Sequence, residues 1–134
     1  MILMKKRIAT MLTALAALFG CGTSRYTTLP PDVYQASITD SDVQLVDVRT
    51  AEEYAEQHLP GAVNIDVYGD DFSGLCSTRL DKGRPVAVYC RSGKRSANAA
   101  MQLRKAGFRS VLNLDGGIQA WLAAGKPVVP SPAQ

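Results

Sequence analysis

The segment VAVYCRSGKRSANAAMQLRKAGF, residues 86–108, places a cysteine between a stretch typical of a buried strand and a stretch typical of a helix. The apolar residues that precede Cys90 include two β-branched valines and favour a strand. From Ser96 onwards, good helix formers continue to Gly107, a residue type that commonly ends helices. The segment therefore predicts a strand, a basic loop and a helix. The residues of this helix that are expected to face a sheet are Ala97, Ala100, Met101 and Leu103.

The same alternation of strand and helix extends through most of the chain. The predicted strands cover residues 43–48, 62–67 and 110–114, and the predicted helices cover residues 50–58, 70–80 and 116–125. The first of these helices begins with a capping box, in which Thr50 is the N-cap and Glu53 lies three residues later. Strands that alternate with helices are typical of parallel sheets. The sequence therefore predicts an α/β fold, a parallel sheet with helices on both faces.

The N-terminus has the pattern of a secretory signal. Three basic residues at positions 5–7 precede an apolar segment, residues 8–19, which is too short to span a bilayer as a helix. This segment ends in LFGC, residues 18–21, which resembles the lipobox of bacterial lipoproteins and implies a lipid on Cys21. An ordinary secretory signal and an uncleaved anchor are the alternatives.

These patterns divide the chain into four parts. They are a signal peptide at residues 1–20, a tether at 21–31, a folded domain at 32–126 and a tail at 127–134. Acyl chains on Cys21 would anchor the domain firmly to a membrane. We therefore expect a cell-envelope protein that faces the periplasm or the exterior, and the pattern leaves open which membrane holds it.

Charge and composition narrow the possible ligands. The 134 residues include 15 Lys and Arg and 12 Asp and Glu, a formal net charge of +3. Loss of residues 1–20 would remove the three basic residues at positions 5–7 and leave a nearly neutral domain, so no nucleic-acid partner is expected. His58 is the only histidine and the three cysteines form no CxxC pair, so we expect no metal.

Cys90 is the candidate reactive residue. Ligands of open parallel sheets bind at the carboxyl ends of the strands, where Cys90 is predicted to lie. Backbone N–H groups at the start of the following helix carry partial positive charge, and Arg91, Lys94 and Arg95 add formal charge. Each influence lowers the pKa of a thiol, so the pattern predicts a nucleophilic thiolate that acts on an anionic substrate. The alternative is an inert buried cysteine at a strand end.

Three motifs resemble those of single-domain rhodaneses, which are thiosulfate sulfurtransferase-like proteins. The motifs are LVDVRTAEEYAEQHLPGAVNI at 45–65, VYCRSGKRS at 88–96 and VLNLDGGIQAW at 111–121. The resemblance covers nearly all of residues 43–124 and implies a rhodanese-like fold. The first motif matches the family pattern at Asp47, Arg49, Glu53, Tyr54, His58, Pro60, Gly61, Ala62 and Asn64.

The length and charge of the cysteine loop favour sulfur chemistry within this fold. Phosphatases of the cell-cycle type and related arsenate reductases share the fold and have a Cys-x5-Arg loop, whereas Cys90 to Arg95 is Cys-x4-Arg. The resemblance implies that Cys90 accepts the outer sulfur of thiosulfate or a similar donor as a persulfide, and that no cofactor is needed. A thiol or cyanide would then accept this sulfur. The basic loop resembles the thiosulfate type rather than the uncharged loop of members that prefer mercaptopyruvate.

The residues around Cys90 receive predicted roles. The loop is expected to bind the anionic sulfur through its N–H groups and cations, with Gly93 at positive φ. This loop comprises Arg91, Ser92, Gly93, Lys94, Arg95 and Ser96. Asp47, Arg49 and Glu53 are expected to support the site, with an ion pair between Arg49 and Glu53.

Alternatives remain for the function and for one cysteine. The expected partners are a small anionic sulfur donor and a thiol acceptor or thiol redox protein. The chain is expected to be a monomer. It could instead be a persulfide carrier or binding module for a partner redox protein, or a small-anion phosphatase or arsenate reductase. Cys76 is expected to be a partly buried helix residue, and the alternative is a resolving thiol that forms a disulfide with Cys90.

Overall fold

Five parallel strands form the centre of the protein in a computed structural model that describes residues 25–130. The strands lie in the order β1-β5-β4-β2-β3, and every neighbouring pair is parallel. Their bounds are β1 Thr27–Leu29, β2 Gln44–Asp47, β3 Val63–Asn64, β4 Val86–Tyr89 and β5 Val111–Leu114. The prediction of a parallel α/β sheet is confirmed, with the cysteine strand β4 at its centre.

Four helices connect the strands, and a fifth follows β5. Their bounds are α1 Pro31–Ile38, α2 Ala51–Glu56, α3 Phe72–Arg79, α4 Lys94–Lys105 and α5 Gly117–Ala123. The predicted capping box at the start of α2 is present, because the Glu53 N–H donates to Thr50 Oγ1 and the Thr50 N–H donates to Glu53 Oε1, both at 3.2 Å. None of the helices within residues 25–130 is long and apolar enough to cross a membrane.

The sheet separates two apolar cores. Val46, Val86 and Val88 face one side, where α3 and α4 cover them, and Ala87 and Tyr89 face the other, where α1 and α5 cover them. This alternation follows the two-residue period of a strand. Helices therefore cover both faces, as the sequence predicts.

The stripe of α4 that faces the core differs from the prediction, since Ala97 is only half-buried and Ala99 is fully buried. Met101 was expected to face the sheet but is 49% exposed. The fully buried residues of α4 follow the spacing of one helical face instead. They are Ser96, Ala99, Ala100 and Leu103.

Both ends of the folded unit contain structure that the sequence analysis assigned to a tether and a tail. Strand β1 lies within the predicted tether and pairs with β5, and α1 begins at Pro31. Val128 lies in the predicted tail but is buried in the core beside α5, and the backbones of Val129 and His58 are paired. The signal peptide and the lipid on Cys21 fall outside the described residues.

Candidate active site

Cys90 follows the last residue of β4, at the carboxyl end of the central strand. Its side chain is 1% exposed, and the next residues turn into α4, which begins at Lys94. Gly93 is the N-cap of α4 and has φ +104°, a conformation that favours glycine. The loop therefore folds back over the sulfur. The positive φ predicted at Gly93 is confirmed.

Hydrogen bonds from the loop surround the Cys90 sulfur. The Gly93 N–H donates to Sγ at 3.0 Å, and the buried Ser96 hydroxyl donates to it at 3.3 Å. Burial raises the pKa of Cys90, but hydrogen bonds from the Ser96 hydroxyl and from the N–H groups of Ser96, Gly93 and Ser92 outweigh it. The pKa of Cys90 is therefore lower than that of an ordinary thiol, which is the property of a nucleophilic cysteine.

The start of α5 holds the outer side of the loop. The Ile118 N–H donates to the Cys90 carbonyl at 2.9 Å, and the Gln119 N–H donates to the Arg91 carbonyl at 3.1 Å. Gly117 permits this approach, since a Cβ there would lie 2.4 Å from the Arg91 oxygen and 2.5 Å from the Cys90 oxygen. These bonds turn the loop carbonyls away from the sulfur, which leaves the loop N–H groups to face it. The sequence analysis did not predict that α5 would hold the loop.

Arg95 is held by an acidic side chain from a different part of the chain. Its two terminal nitrogens donate to Glu53 Oε1 and Oε2 at 2.8 and 2.9 Å. The hydrogen bond from Arg95 is the main reason that the pKa of Glu53 lies at about 2. The guanidinium is therefore neutralised by Glu53, and the capping box of α2 is tied to the cysteine loop.

The predicted ion pair between Arg49 and Glu53 is wrong. Arg49 instead binds Asp47, with 2.6 Å between Nη2 and Oδ2, and both side chains are buried. Asp47 lies only two residues before Arg49, so the pair forms locally at the end of β2 and leaves Glu53 for Arg95. The guanidinium carbon of Arg49 also lies 5.7 Å from the ring centroid of Tyr89, the last residue of β4. Asp47 and Arg49 therefore pair with each other beside Tyr89, the residue before Cys90.

Two cations of the loop face solvent. Arg91 and Lys94 are exposed, whereas Arg95 is half-buried against Glu53. A groove of about 580 Å³ runs beside the loop. Its lining residues are Val67, Tyr68, Ser92, Lys94, Arg95, Asn98 and Gln102.

His58 and Cys76 lie in structural positions. The His58 ring stacks on Tyr54 with 3.8 Å between centroids, and its Nδ1 lies 2.8 Å from the Tyr54 carbonyl oxygen. Cys76 is a fully buried free thiol on α3, and burial raises its pKa to about 12. The two described cysteines therefore differ sharply, since Cys76 is held as a thiol while the surroundings of Cys90 favour the thiolate. Within residues 25–130, no group of three or more His, Cys, Asp or Glu side chains is arranged to bind a metal ion.

The comparisons with known proteins agree with this fold. Residues 30–124 match the family model of the rhodanese-like domain, and the chain belongs to this family. A sulfurtransferase of Allochromatium vinosum is 41% identical over 88 residues, which cover 66% of this chain and 79% of the relative. The thiosulfate sulfurtransferase GlpE of Pseudomonas savastanoi pv. phaseolicola is 36% identical over 96 residues, 71% of this chain and 86% of the relative. The solution structure of the rhodanese-like domain of Alr3790 from Anabaena sp. has a TM-score of 0.70 at 27% identity, and the match covers 82% of this chain and 87% of that one.

Proposed function

We propose that the chain is a sulfurtransferase that carries sulfane sulfur on Cys90, with thiosulfate as the donor class and a thiol as the acceptor class. The observation that carries this proposal is the ring of donors around one sulfur atom, formed by the Gly93 N–H and the Ser96 hydroxyl. Such a ring stabilises the thiolate before the reaction and the terminal sulfur anion of a persulfide after it. The sulfurtransferases among the relatives support the same chemistry.

The proposed first step is a displacement at sulfur. The Cys90 thiolate attacks the outer sulfur of thiosulfate, an S–S bond forms, and the S–S bond to the sulfite group breaks. Sulfite leaves as a dianion and Cys90 keeps a persulfide anion, so charge and electrons balance without a cofactor. In the second step an acceptor thiolate attacks the terminal sulfur, takes it as a new persulfide and releases the Cys90 thiolate.

The exposed cations of the loop explain the choice of an anionic donor. Arg91 and Lys94 face solvent, so they are available to attract a dianion and to stabilise departing sulfite. Arg95 is bound by Glu53, so its proposed role is to position the loop and not to bind the donor. We expect an acceptor thiol, free or on a redox protein, to approach along the groove beside the loop, which Ser92, Lys94 and Arg95 line.

The location of the protein is part of the proposal. The sequence of residues 1–21 supports a signal peptide followed by a lipidated Cys21, which would place the domain at a membrane of the cell envelope. The domain would act there as a monomer on donors and thiols of the periplasm or the exterior.

The direct test is intact mass of the reduced protein after treatment with thiosulfate. A chain of residues 22–134 retains the whole folded unit, since both apolar cores are formed by residues 26–128. We expect a gain of one sulfur atom that an added thiol removes. Cys90→Ser should abolish the gain, and Cys76→Ser, the matched control, should keep it.

The outcomes separate the candidate functions. Repeated turnover with thiosulfate and a thiol indicates the enzyme, whereas a single sulfur loaded and slowly released indicates a carrier for a partner protein. No adduct on the reduced wild-type protein, or an adduct that persists in Cys90→Ser, contradicts the proposal.

A further inference from the structure

The charged side chains of the domain are separated between the two ends of the sheet. In a parallel sheet, the connections that lead into strands all lie at the amino end, and those that leave strands lie at the carboxyl end. The basic residues of the amino end, on these connections or in the last turns of α3 and α4, are Arg25, Arg79, Lys82, Arg84, Arg104, Lys105 and Arg109. The acidic residues there, counted in the same way, are Asp40, Asp42, Asp81 and Glu56 at the end of α2.

The carboxyl end, which contains Cys90, has the opposite balance. Its acidic residues are Asp47, Glu52, Glu53, Asp66, Asp70, Asp71 and Asp115. Its basic residues are Arg49, Arg91, Lys94 and Arg95. The remaining charged pair, Lys126 and Asp32, forms an ion pair at 2.7 Å. Although the domain is nearly neutral, its amino end is positive and its carboxyl end is negative.

Contacts at the amino end bring cations from different connections together. The Arg109 N–H donates to the Lys82 carbonyl at 3.3 Å, and Lys82 Nζ lies 5.9 Å from the ring centroid of Phe108. The Arg104 guanidinium donates to the carbonyls of Phe108 and Arg109. These contacts join the end of α4 to the connection before β4 in one basic surface.

A pocket extends this surface along the edge strand β1. Its volume is about 440 Å³, and it combines two cations with an aromatic and an apolar side chain. The lining residues are Arg25, Tyr26, Thr28, Met101 and Lys105. Tyrosine beside basic residues is a composition typical of the interface between a membrane and water.

We propose that this basic end, defined as Arg25, Lys82, Arg104, Lys105 and Arg109, lies on an anionic phospholipid surface with Cys90 turned away from it. The short distance along the sequence between the predicted lipid site and the basic end favours a membrane over a nucleic acid as the partner. Cys21, the predicted lipid site, precedes Arg25 by four residues, which reach at most about 14 Å. A lipid anchor would therefore hold the basic end, and not the cysteine loop, next to the headgroups.

This orientation has a consequence for the reaction. Strand β4 has four residues and separates the two ends by about 13 Å, which exceeds the Debye length of about 8 Å at physiological salt. A dianionic donor approaching Cys90 is thereby screened from the negative membrane. The distance between the two ends therefore allows one small domain to bind an anionic surface and still receive an anionic substrate, which the exposed Arg91 and Lys94 attract.

Vesicle flotation of the unlipidated chain of residues 22–134 tests the proposal. We expect binding to phosphatidylglycerol-rich vesicles at low ionic strength, little binding to phosphatidylcholine vesicles, and loss of binding as salt is added. Each basic residue near an anionic leaflet contributes about fivefold, so Lys105→Gln combined with Arg109→Gln should weaken binding about 25-fold. This variant should form the Cys90 persulfide at the wild-type rate, which also shows that it is folded.

The matched control removes two charges from the other end. Arg91→Gln combined with Lys94→Gln should retain vesicle binding while persulfide formation slows. Absence of wild-type binding, equal binding to both vesicle types, or equal losses in the two double variants would overturn the proposal. Tighter binding to duplex DNA than to anionic vesicles, lost in the amino-end variant, would overturn it in favour of a nucleic-acid surface. Persulfide formation is measured separately, so failure of the proposed sulfur transfer would not be confused with failure of membrane binding.

Discussion

The state of the Cys90 thiol depends on one buried hydroxyl more than on any other side chain. Ser96 is 0% exposed and donates to the sulfur at 3.3 Å, and its hydroxyl and N–H are the first two influences that lower the pKa of Cys90 against the effect of burial. Ser96→Ala removes the hydroxyl and keeps the N–H. We expect the pKa of Cys90 to rise, and persulfide formation at pH 7 to slow about tenfold because a hydrogen bond to a charged group is lost.

The pH profile distinguishes this effect from a general loss of structure. A thiol with a raised pKa needs a higher pH to ionise, so the rates of Ser96→Ala and wild type should converge at alkaline pH. Ser92→Ala is the control, because Ser92 supports the sulfur through its backbone N–H and its side chain is exposed. Identical pH profiles for Ser96→Ala and wild type would remove Ser96 from this role.

Single residues also show what the sequence could and could not predict at this site. Cys90 and Gly93 were identified from local pattern, since a strand end, a glycine and a helix start are neighbours in sequence. The partner of Glu53 was not, because Arg95 lies 42 residues away and only the packed sheet brings the two together. Arg49 was the nearer candidate, but its guanidinium binds Asp47. Local chemistry was therefore predictable, whereas the choice between competing long-range partners was not.

At the scale of elements, the loop is shaped by the helix that packs against it. Gly117 begins α5 at φ +60°, and a Cβ there would collide with the carbonyl oxygens of Cys90 and Arg91. Gly117→Ala should displace the loop from α5 and slow persulfide formation about 10- to 100-fold, since small misplacements of reacting groups have effects of this size. Stopped-flow loading with thiosulfate measures the rate.

Gly125→Ala isolates the backbone contribution to this effect. Gly125 has φ +72°, similar to Gly117, but a Cβ there meets nothing within 4 Å. This control should lose about 1 kcal/mol of unfolding free energy from the left-handed backbone alone and should load sulfur normally. If Gly117→Ala behaves like Gly125→Ala in both measurements, the helix does not shape the loop.

One element that the sequence analysis missed is a short strand at the edge of the sheet. The strand Thr27–Leu29 has only three residues, at the edge of the sheet, and its partner β5 begins more than 80 residues later. Its side chains are mostly exposed, so no alternation of apolar residues reveals it. The buried strand β4 and the helix α4 were predicted because their sequences have the residue types typical of a buried strand and of a helix. A short edge strand depends on the sheet that it joins.

At the scale of the whole molecule, the residues after α5 close the core beside α1. Val128 is 3% exposed, the Trp121 indole N–H donates to the Pro127 carbonyl at 2.8 Å, and the backbones of Val129 and His58 exchange hydrogen bonds of 2.8 and 2.9 Å. A chain ended after Gly125 loses all of these contacts. Burial of one valine and three hydrogen bonds stabilise a domain by about 3 kcal/mol or more, a large part of its total. Denaturant unfolding followed by the fluorescence of Trp121, the only tryptophan, should show the midpoint fall steeply.

A chain ended after Pro130 is the control, because it keeps each of these contacts. Its midpoint should match that of the longer chain, and both should load sulfur on Cys90. Equal midpoints for the two truncated chains would mean that residues 127–130 belong to a tail, as the sequence predicted. A selective fall for the shorter chain would mean that the fold extends past the last helix, because Trp121 and His58 each need a backbone partner that only this segment supplies. The limit of the domain is then set by hydrogen bonding and burial and not by the last regular helix.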